Sequence, residues 1–595
     1  MRKWILFFLA LLLTTPAFAG DKTIDSFSLP DVRTGRPVAL GDFKESKAIV
    51  VVFLGTECPV NNAYLPRLAK LYEMYSGKGV QFLAVNSLKI DKPEQVAEHA
   101  KKNAIPFPVL TDGNQHVADL FDARRTPEAF VLDAKRAVRY RGRIDDQFGI
   151  DIFRAQPTKT ELRDAIEAVL AGKPAPVAET EVAGCLITRS QKAAADAKVT
   201  FTKDVAKILQ KNCQECHRPG QIGPMPLLSF DDAEGWSAMI REVVADRRMP
   251  PWYADPKIGH FSNDRSLSAA DRDMLLAWID QGCAKGDEKD LPAPVSFPSD
   301  WRIGKPDAIF TMTKPYEVPA EMPRLGIAYQ YFVIETNFKE DMWVERAEAR
   351  AGAPEVVHHI IAFVVPPRKS DEPVPPGPPV LPPLVPEFKR ATVLCGTAPG
   401  DMPLILRPGY ARKIPAGAKI VLQMHYTPNG KAASDSSSIG LVFAKKPPER
   451  RVISIPVLQH RLSIPAGESN YLVESWGPFD METRQTGFLE DAEVLGFMPH
   501  MHLRGKDFFI EAIHPDGRKE PLLSVPRFNF NWQNVYRFEK PLPAPKGTRI
   551  HCIAHFDNSD KNPNNPDPTQ IVRWGDQTWQ EMMIGWTDVA YRRSP

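Results

Sequence analysis

Between residues 358 and 582 the chain carries a series of soft and borderline metal ligands. They are the adjacent pair His358 and His359, His425 in LQMHY, the triplet His500-Met501-His502, and Met582 in WQEMM. Nine of the thirteen histidines lie beyond residue 300, so imidazole is concentrated in one half of the protein. Imidazole holds both oxidation states of copper and thioether favours Cu(I), so this mixture suits copper that must cycle between them.

The elements needed to position these ligands can be read locally. VLGFMPHMH has the pattern of a strand, in which residues two apart share a face, so His500 and His502 can chelate one ion. Adjacent His358 and His359 point to opposite faces of a regular strand, so joint ligation there requires a bulge or a rotated ring. Met583 rivals Met582, because a register slip of one exchanges their faces; Met582 is preferred for its Glu581 neighbour. His460, His514, His551 and His555 are read as ordinary core or surface residues.

The order HHII, LQMHY, HMHLRGK and EMM resembles the copper type II, ascorbate-dependent monooxygenases, the family of peptidylglycine alpha-hydroxylating monooxygenase and dopamine beta-monooxygenase. The resemblance covers residues 300 to 595. It implies an electron-transfer copper on His358, His359 and His425, and an oxygen-activating copper on His500, His502 and Met582. It further implies two antiparallel sandwiches, 300–450 and 451–595, with one copper each.

A second chemical motif is Cys213-Gln214-Glu215-Cys216-His217. Two thiols at this spacing can take thioether bonds to haem vinyl groups, and the following histidine can bind the iron, giving one covalent haem c. A zinc half-site or a plain disulfide is the competing reading. Upstream, Val205, Ile208 and Leu209 fall on one helical face; downstream, Ser268 can cap a helix with the stripe Leu275, Trp278 and Ile279. An all-α cytochrome c domain over 199–289 is expected. Its sixth iron ligand is assigned to Met249 in RRMPPW, with Met225 in GPMPL as the alternative.

Near the N-terminus, the β-branched run AIVVVFLG leads into Thr56-Glu57-Cys58-Pro59 and then a helix-like stretch. This puts Cys58 at a helix N-terminus, where the dipole favours thiolate. Residues 24–172 resemble the thioredoxin and redoxin families, in which a cis proline of a Thr-Pro pair faces the active cysteine; here that proline is Pro127. The second cysteine of the usual CxxC is replaced by Asn61. Cys185 in AGCLITR is then a candidate resolving thiol for Cys58, as a similar Gly-Cys motif is in some redoxin-like proteins. A Cys185 to Cys283 pairing competes, and so does an inert redoxin scaffold used for docking. Cys395 and Cys552 are left open as paired or separate.

Composition bounds the remainder. Residues 1–19 read as a cleaved signal peptide ending at Ala19, and no later stretch is expected to span a bilayer. A formal charge of +2 with 25% charged residues argues against nucleic acid as a partner. The export signal and the CxxCH motif together indicate an oxidising periplasm. KPAPVAETEVAG opens a linker assigned to 173–198, and a proline-rich excursion runs over 366–388. The expected fold is an α/β thioredoxin-like domain, an all-α cytochrome c domain and an all-β pair of sandwiches.

The expected function is a periplasmic copper monooxygenase with two copper ions. It would act on a small organic or peptide substrate with O2, and a periplasmic electron donor would supply electrons through the fused haem. Two other classes compete: a copper-binding electron-transfer protein without hydroxylase activity, and a thiol peroxidase or thiol-disulfide protein centred on Cys58.

Overall fold

The computed structural model describes residues 22–593, except 155, 190, 298–299, 324–325, 368–390, 399–401 and 480–483. The stretch 1–19, expected to be a signal peptide, and most of the proline-rich excursion therefore lie outside the described residues. The chain folds as two compact units, 1–150 with 157–189 and 151–156 with 190–595. No helix among the described residues is long and apolar enough to cross a membrane.

The first unit is built on a five-stranded sheet in the order Val109–Thr111, Val80–Asn86, Ala48–Phe53, Glu128–Asp133, Val138–Gly142. The first three strands run parallel and the last two antiparallel to their neighbours. Ala48–Phe53 is central and buried along its whole length, which is why it reads as an unbroken apolar run rather than an alternating one. Helices Pro59–Tyr75, Pro93–Lys102 and Glu161–Leu170 contribute Leu68, Val96 and Ile166 to its core.

Of the segment expected as a linker over 173–198, residues 173–189 are part of this unit. Their backbone bonds to the sheet edge, Thr180 N–H to Arg141 O at 3.1 Å and Arg141 N–H to Ala178 O at 3.0 Å. Cys185–Leu186 then pairs antiparallel with Arg125–Thr126. The composition signals an extended chain, but extended backbone beside an open edge has partners to gain, and it takes them.

The second unit begins with short helices, Ala206–Asn212, Phe230–Gly235, Ser237–Ala245 and Ala269–Asp280. Ser268 caps the last of these by accepting the Asp271 N–H, and Leu275, Trp278 and Ile279 are buried as the stripe requires. This helical stretch is not a compact unit by itself, contrary to the expected free-standing domain. Trp252, Tyr253 and Phe261 pack into the core of the C-terminal strands, and Phe261 stacks on Phe538 at 5.3 Å. Helices of six to twelve residues bury too little on their own, and the strands complete their core.

Two four-stranded sheets face one continuous nine-stranded sheet, forming two sandwiches. One four-stranded sheet contains Gln330–Glu335, Lys419–Tyr426, Val357–Val365 and Thr392–Thr397; the other contains Tyr471–Gly477, Arg549–Phe556, Gly505–Ile513 and Lys519–Val525. The division expected near 450 is bridged by main-chain pairing, since Tyr410–Ile414 runs parallel to Arg450–Leu458 with Tyr410 opposite Arg450. Cys395 lies in the core of the first sandwich and Cys552 in that of the second, so they remain separate.

Candidate redox and metal sites

Cys58 is the N-cap of Pro59–Tyr75. Its Sγ donates to Thr126 O at 3.0 Å, next to the cis Thr126–Pro127 bond. Gly184 brings the second thiol in: at φ +139° a Cβ there would lie 2.1 Å from Thr126 O, so only glycine lets the two backbones approach this closely. Cys185 follows as the register partner of Thr126. Burial pushes the Cys58 thiol up, but hydrogen bonds from the Cys185 side chain and from the Asn61 and Cys185 amides outweigh it and bring it down to about 7. Cys283, in the other unit, hydrogen-bonds Ser237, and burial pushes its thiol up to about 11.

The first histidine group forms on neighbouring strands. Val357–Val365 pairs with Lys419–Tyr426, and the register slips by one between Val357 and His359, leaving His358 as the extra residue of a bulge. The bulge allows both adjacent imidazoles to turn towards His425, the direct partner of His359. Ring nitrogens of all three lie within 4.8 Å of one another. The Nδ1 atoms of His358 and His359 are 3.3 Å apart, and His425 Nδ1 is buried without a hydrogen-bond partner. Burial pushes His358 down to about 4 and holds His359 and His425 well below the ordinary value, so all three are neutral, as metal ligation requires. Convergent neutral nitrogens, one of them orphaned, fit a borderline cation such as copper.

The second group is held by its outer partners. Nδ1 of His500 donates to Gln533 Oε1, and Nδ1 of His502 donates to Gln580 O at 3.2 Å. Both rings are thereby left with unprotonated Nε2, and that of His502 is buried and unpartnered. The ring centroids are 5.1 Å apart. Glu581 links this turn to the methionine segment, accepting from His502 N–H at 2.8 Å and Arg504 N–H at 2.6 Å, and burial pushes its carboxyl up to about 7. Met582 lines a cavity together with His500, whereas Met583 lies in the sandwich core with its Sδ 3.3 Å from Ser475 Oγ. Imidazole and thioether donors are of the kind that suits a copper that visits Cu(I).

Two residues at these sites are not legible in the sequence as site residues. Phe530 stacks on His358 at 5.5 Å and 13° and meets His502 edge-on at 6.0 Å, so one ring touches both histidine groups. Tyr329 packs 5.4 Å from His359 and 5.1 Å from His425, with its hydroxyl buried and unbonded. No spacing rule ties either residue to a histidine so distant in sequence.

In the CxxCH motif, Cys213 closes Ala206–Asn212 and His217 follows in the turn. Nδ1 of His217 donates to Met225 O at 3.1 Å, which leaves Nε2 for an iron. The part of Met225 that engages His217 is thus its carbonyl. Met249 is half-buried on the loop that continues into the packed Trp252 and Tyr253.

The sheet order, the cysteine at the helix start and the facing cis proline make the first unit a thioredoxin-like redoxin domain. Residues 19–141 match the AhpC/TSA family. The thiol-disulfide oxidoreductase ResA of Geobacillus thermodenitrificans is 26% identical over 154 residues, covering 26% of this chain and 79% of that protein. ResA of Halalkalibacterium halodurans is 30% identical over 118 residues, covering 20% of this chain and 64% of that protein, just under two thirds of its length. The crystal structure of an uncharacterized conserved protein from Geobacillus kaustophilus is 33% identical, covers 29% of this chain and 93% of that one, and has a TM-score of 0.27.

Proposed function

We propose that the chain is an exported oxidoreductase whose first unit carries out thiol-disulfide exchange at Cys58 and Cys185. The Cys58 thiolate attacks a substrate disulfide, forming a mixed disulfide and releasing one substrate thiolate. Cys185, losing its proton, then attacks Cys58 Sγ, releases the second substrate thiolate and closes a Cys58–Cys185 disulfide, so the substrate gains two electrons and the pair loses two. The observation that carries this reading is Cys58 at a helix start with Cys185 hydrogen-bonded beside it. The two named relatives, both thiol-disulfide oxidoreductases, support it. Cys58→Ser should abolish disulfide exchange, and Cys185→Ser should trap the mixed disulfide; full exchange by Cys58→Ser would end the proposal.

A second reading, for the second unit, is favoured by three imidazole nitrogens converging within 4.8 Å. In it the unit is a copper monooxygenase, with His358, His359 and His425 holding one copper and His500, His502 and Met582 the other. Bound copper would supply one-electron redox chemistry and oxygen activation. A haem c on Cys213, Cys216 and His217, with Met249 or Met225 as sixth ligand, would bring electrons from a periplasmic donor. Hydroxylation consumes one C–H bond, O2, two electrons and two protons and yields an alcohol and water. The protein's own contribution is to hold the rings: Gln533 and the Gln580 carbonyl set the tautomers of His500 and His502, and Glu581 ties the His502 turn to Met582. Copper and haem per chain, with oxygen uptake coupled to product, test this; copper-depleted protein that hydroxylates as well as loaded protein would end it.

A further inference from the structure

From the two histidine groups, strands lead away along a shared cleft with the same pattern. On Val357–Val365, His359, Ile361 and Phe363 alternate onto one face, and Val393 is the cross-strand partner of Phe363. On Ala492–His500, His500 and Met498 share a face, and their partners on Ile584–Arg592 are Ile584 and Trp586. All of these residues line a single cavity of about 140 Å³, with His359, His500 and Met582 also on its wall. Each face therefore begins at a histidine and continues apolar.

The lining is mostly apolar, and two of its charged groups, Arg412 and Asp588, pair with each other. Arg412 Nη2 donates to Asp588 Oδ1 at 2.7 Å, and its Nη1 donates to Ser454 Oγ at 2.9 Å. Arg537 donates to Met402 O at 3.2 Å, and burial pushes the Asp576 carboxyl up, towards its neutral form. A ligand carrying its own charge would have to shed its hydration against a lining that is mostly apolar, which is unfavourable. The size matches one ring, since an apolar cavity of about 150 Å³ admits benzene.

We infer that this cavity binds a neutral hydrophobic molecule of about one aromatic ring, presented beside His500 and Met582. As the substrate class of the second unit, this inference rests on the copper reading. It places neutral ligands ahead of carboxylates and ammonium ions.

The test uses the full chain loaded with copper and kept oxidised, with p-cresol as neutral probe and 4-methylbenzoate and 4-methylbenzylammonium as charged ones. Binding is followed by calorimetry and by quenching of Trp586 emission, alongside copper content. The expected result is saturable binding of p-cresol at least tenfold tighter than either ion. Ile361→Trp should fill the cavity and abolish binding with copper content unchanged. Met498→Ala should enlarge it and improve binding of 2-naphthol relative to p-cresol. A copper-loaded protein that ignores p-cresol, or binds an ion as tightly, overturns the inference and leaves the copper reading standing. A protein that binds p-cresol in an Ile361→Trp-sensitive way but takes up no copper overturns the copper reading and with it the substrate assignment.

Discussion

His359 and His425 lie directly opposite each other on neighbouring antiparallel strands, with ring centroids 4.9 Å apart, although 65 residues of chain separate them. Facing imidazoles on a sheet are held by many main-chain bonds, so truncating one should leave the strands paired. His425→Ala is expected to lower copper from about two to about one per chain, measured by metal analysis after periplasmic maturation, with the fold unchanged by circular dichroism. His500→Ala should remove the other ion. Loss of both ions in either variant would contradict two separately built sites.

Gln533 tests the outer support of the second site, because its carbonyl oxygen is what orients the His500 ring. Gln533→Leu should weaken copper binding at that site by roughly 10 to 100-fold while leaving the His358, His359 and His425 site unaffected. Competition titration with a copper chelator reads both affinities.

The Cys58 thiol is brought down to about 7 against an ordinary value of 9.0. Thiolate is the nucleophile, so alkylation of folded protein by iodoacetamide should rise through pH 7 and level off near pH 8, while denatured protein rises near 9. Cys185→Ala removes hydrogen bonds and leaves burial, so the midpoint should move upward. The sign for stability is the same: the depressed value favours the folded state fully above the unfolded value, and that contribution is lost as pH falls through about 7.

Arg412 and Asp588 form an ion pair in which the arginine side chain is only 5% exposed and the aspartate 22%. Removing one partner strands the other, so Asp588→Ala should cost about 3 kcal/mol, the low end for a buried pair because Asp588 is partly wet. Arg412→Met with Asp588→Leu should recover much of the loss. Thermal unfolding of the second unit, followed as its own transition, measures both.

Cys213 and Cys216 sit in the turn that also presents His217. Cys213→Ser should leave at most one thioether attachment, and the double replacement with Cys216→Ser should leave none, so that acid-acetone extraction releases any haem present. Absorbance of the pyridine haemochrome in pellet and supernatant gives the result.

Local chemistry determined what could be read before folding. Burial of a whole strand writes an unbroken apolar run at Ala48–Phe53, a helix start follows at Cys58-Pro59, and the stripe of Leu275, Trp278 and Ile279 is legible because helical periodicity acts over a few residues. Ligand-type residues were visible for the same reason, since imidazole, thioether and thiol chemistry belongs to the side chain itself. Tertiary structure alone decided which of them meet. The one-residue bulge at His358 and the pairing of Cys185 with Thr126 depend on cross-strand register, while the placement of Met582 on the cavity wall and of Phe530 between two histidine groups depends on how turns pack against those strands. Register is set by packing between segments far apart in the chain, and a shift of one residue would turn a strand side chain such as His358 to the opposite face.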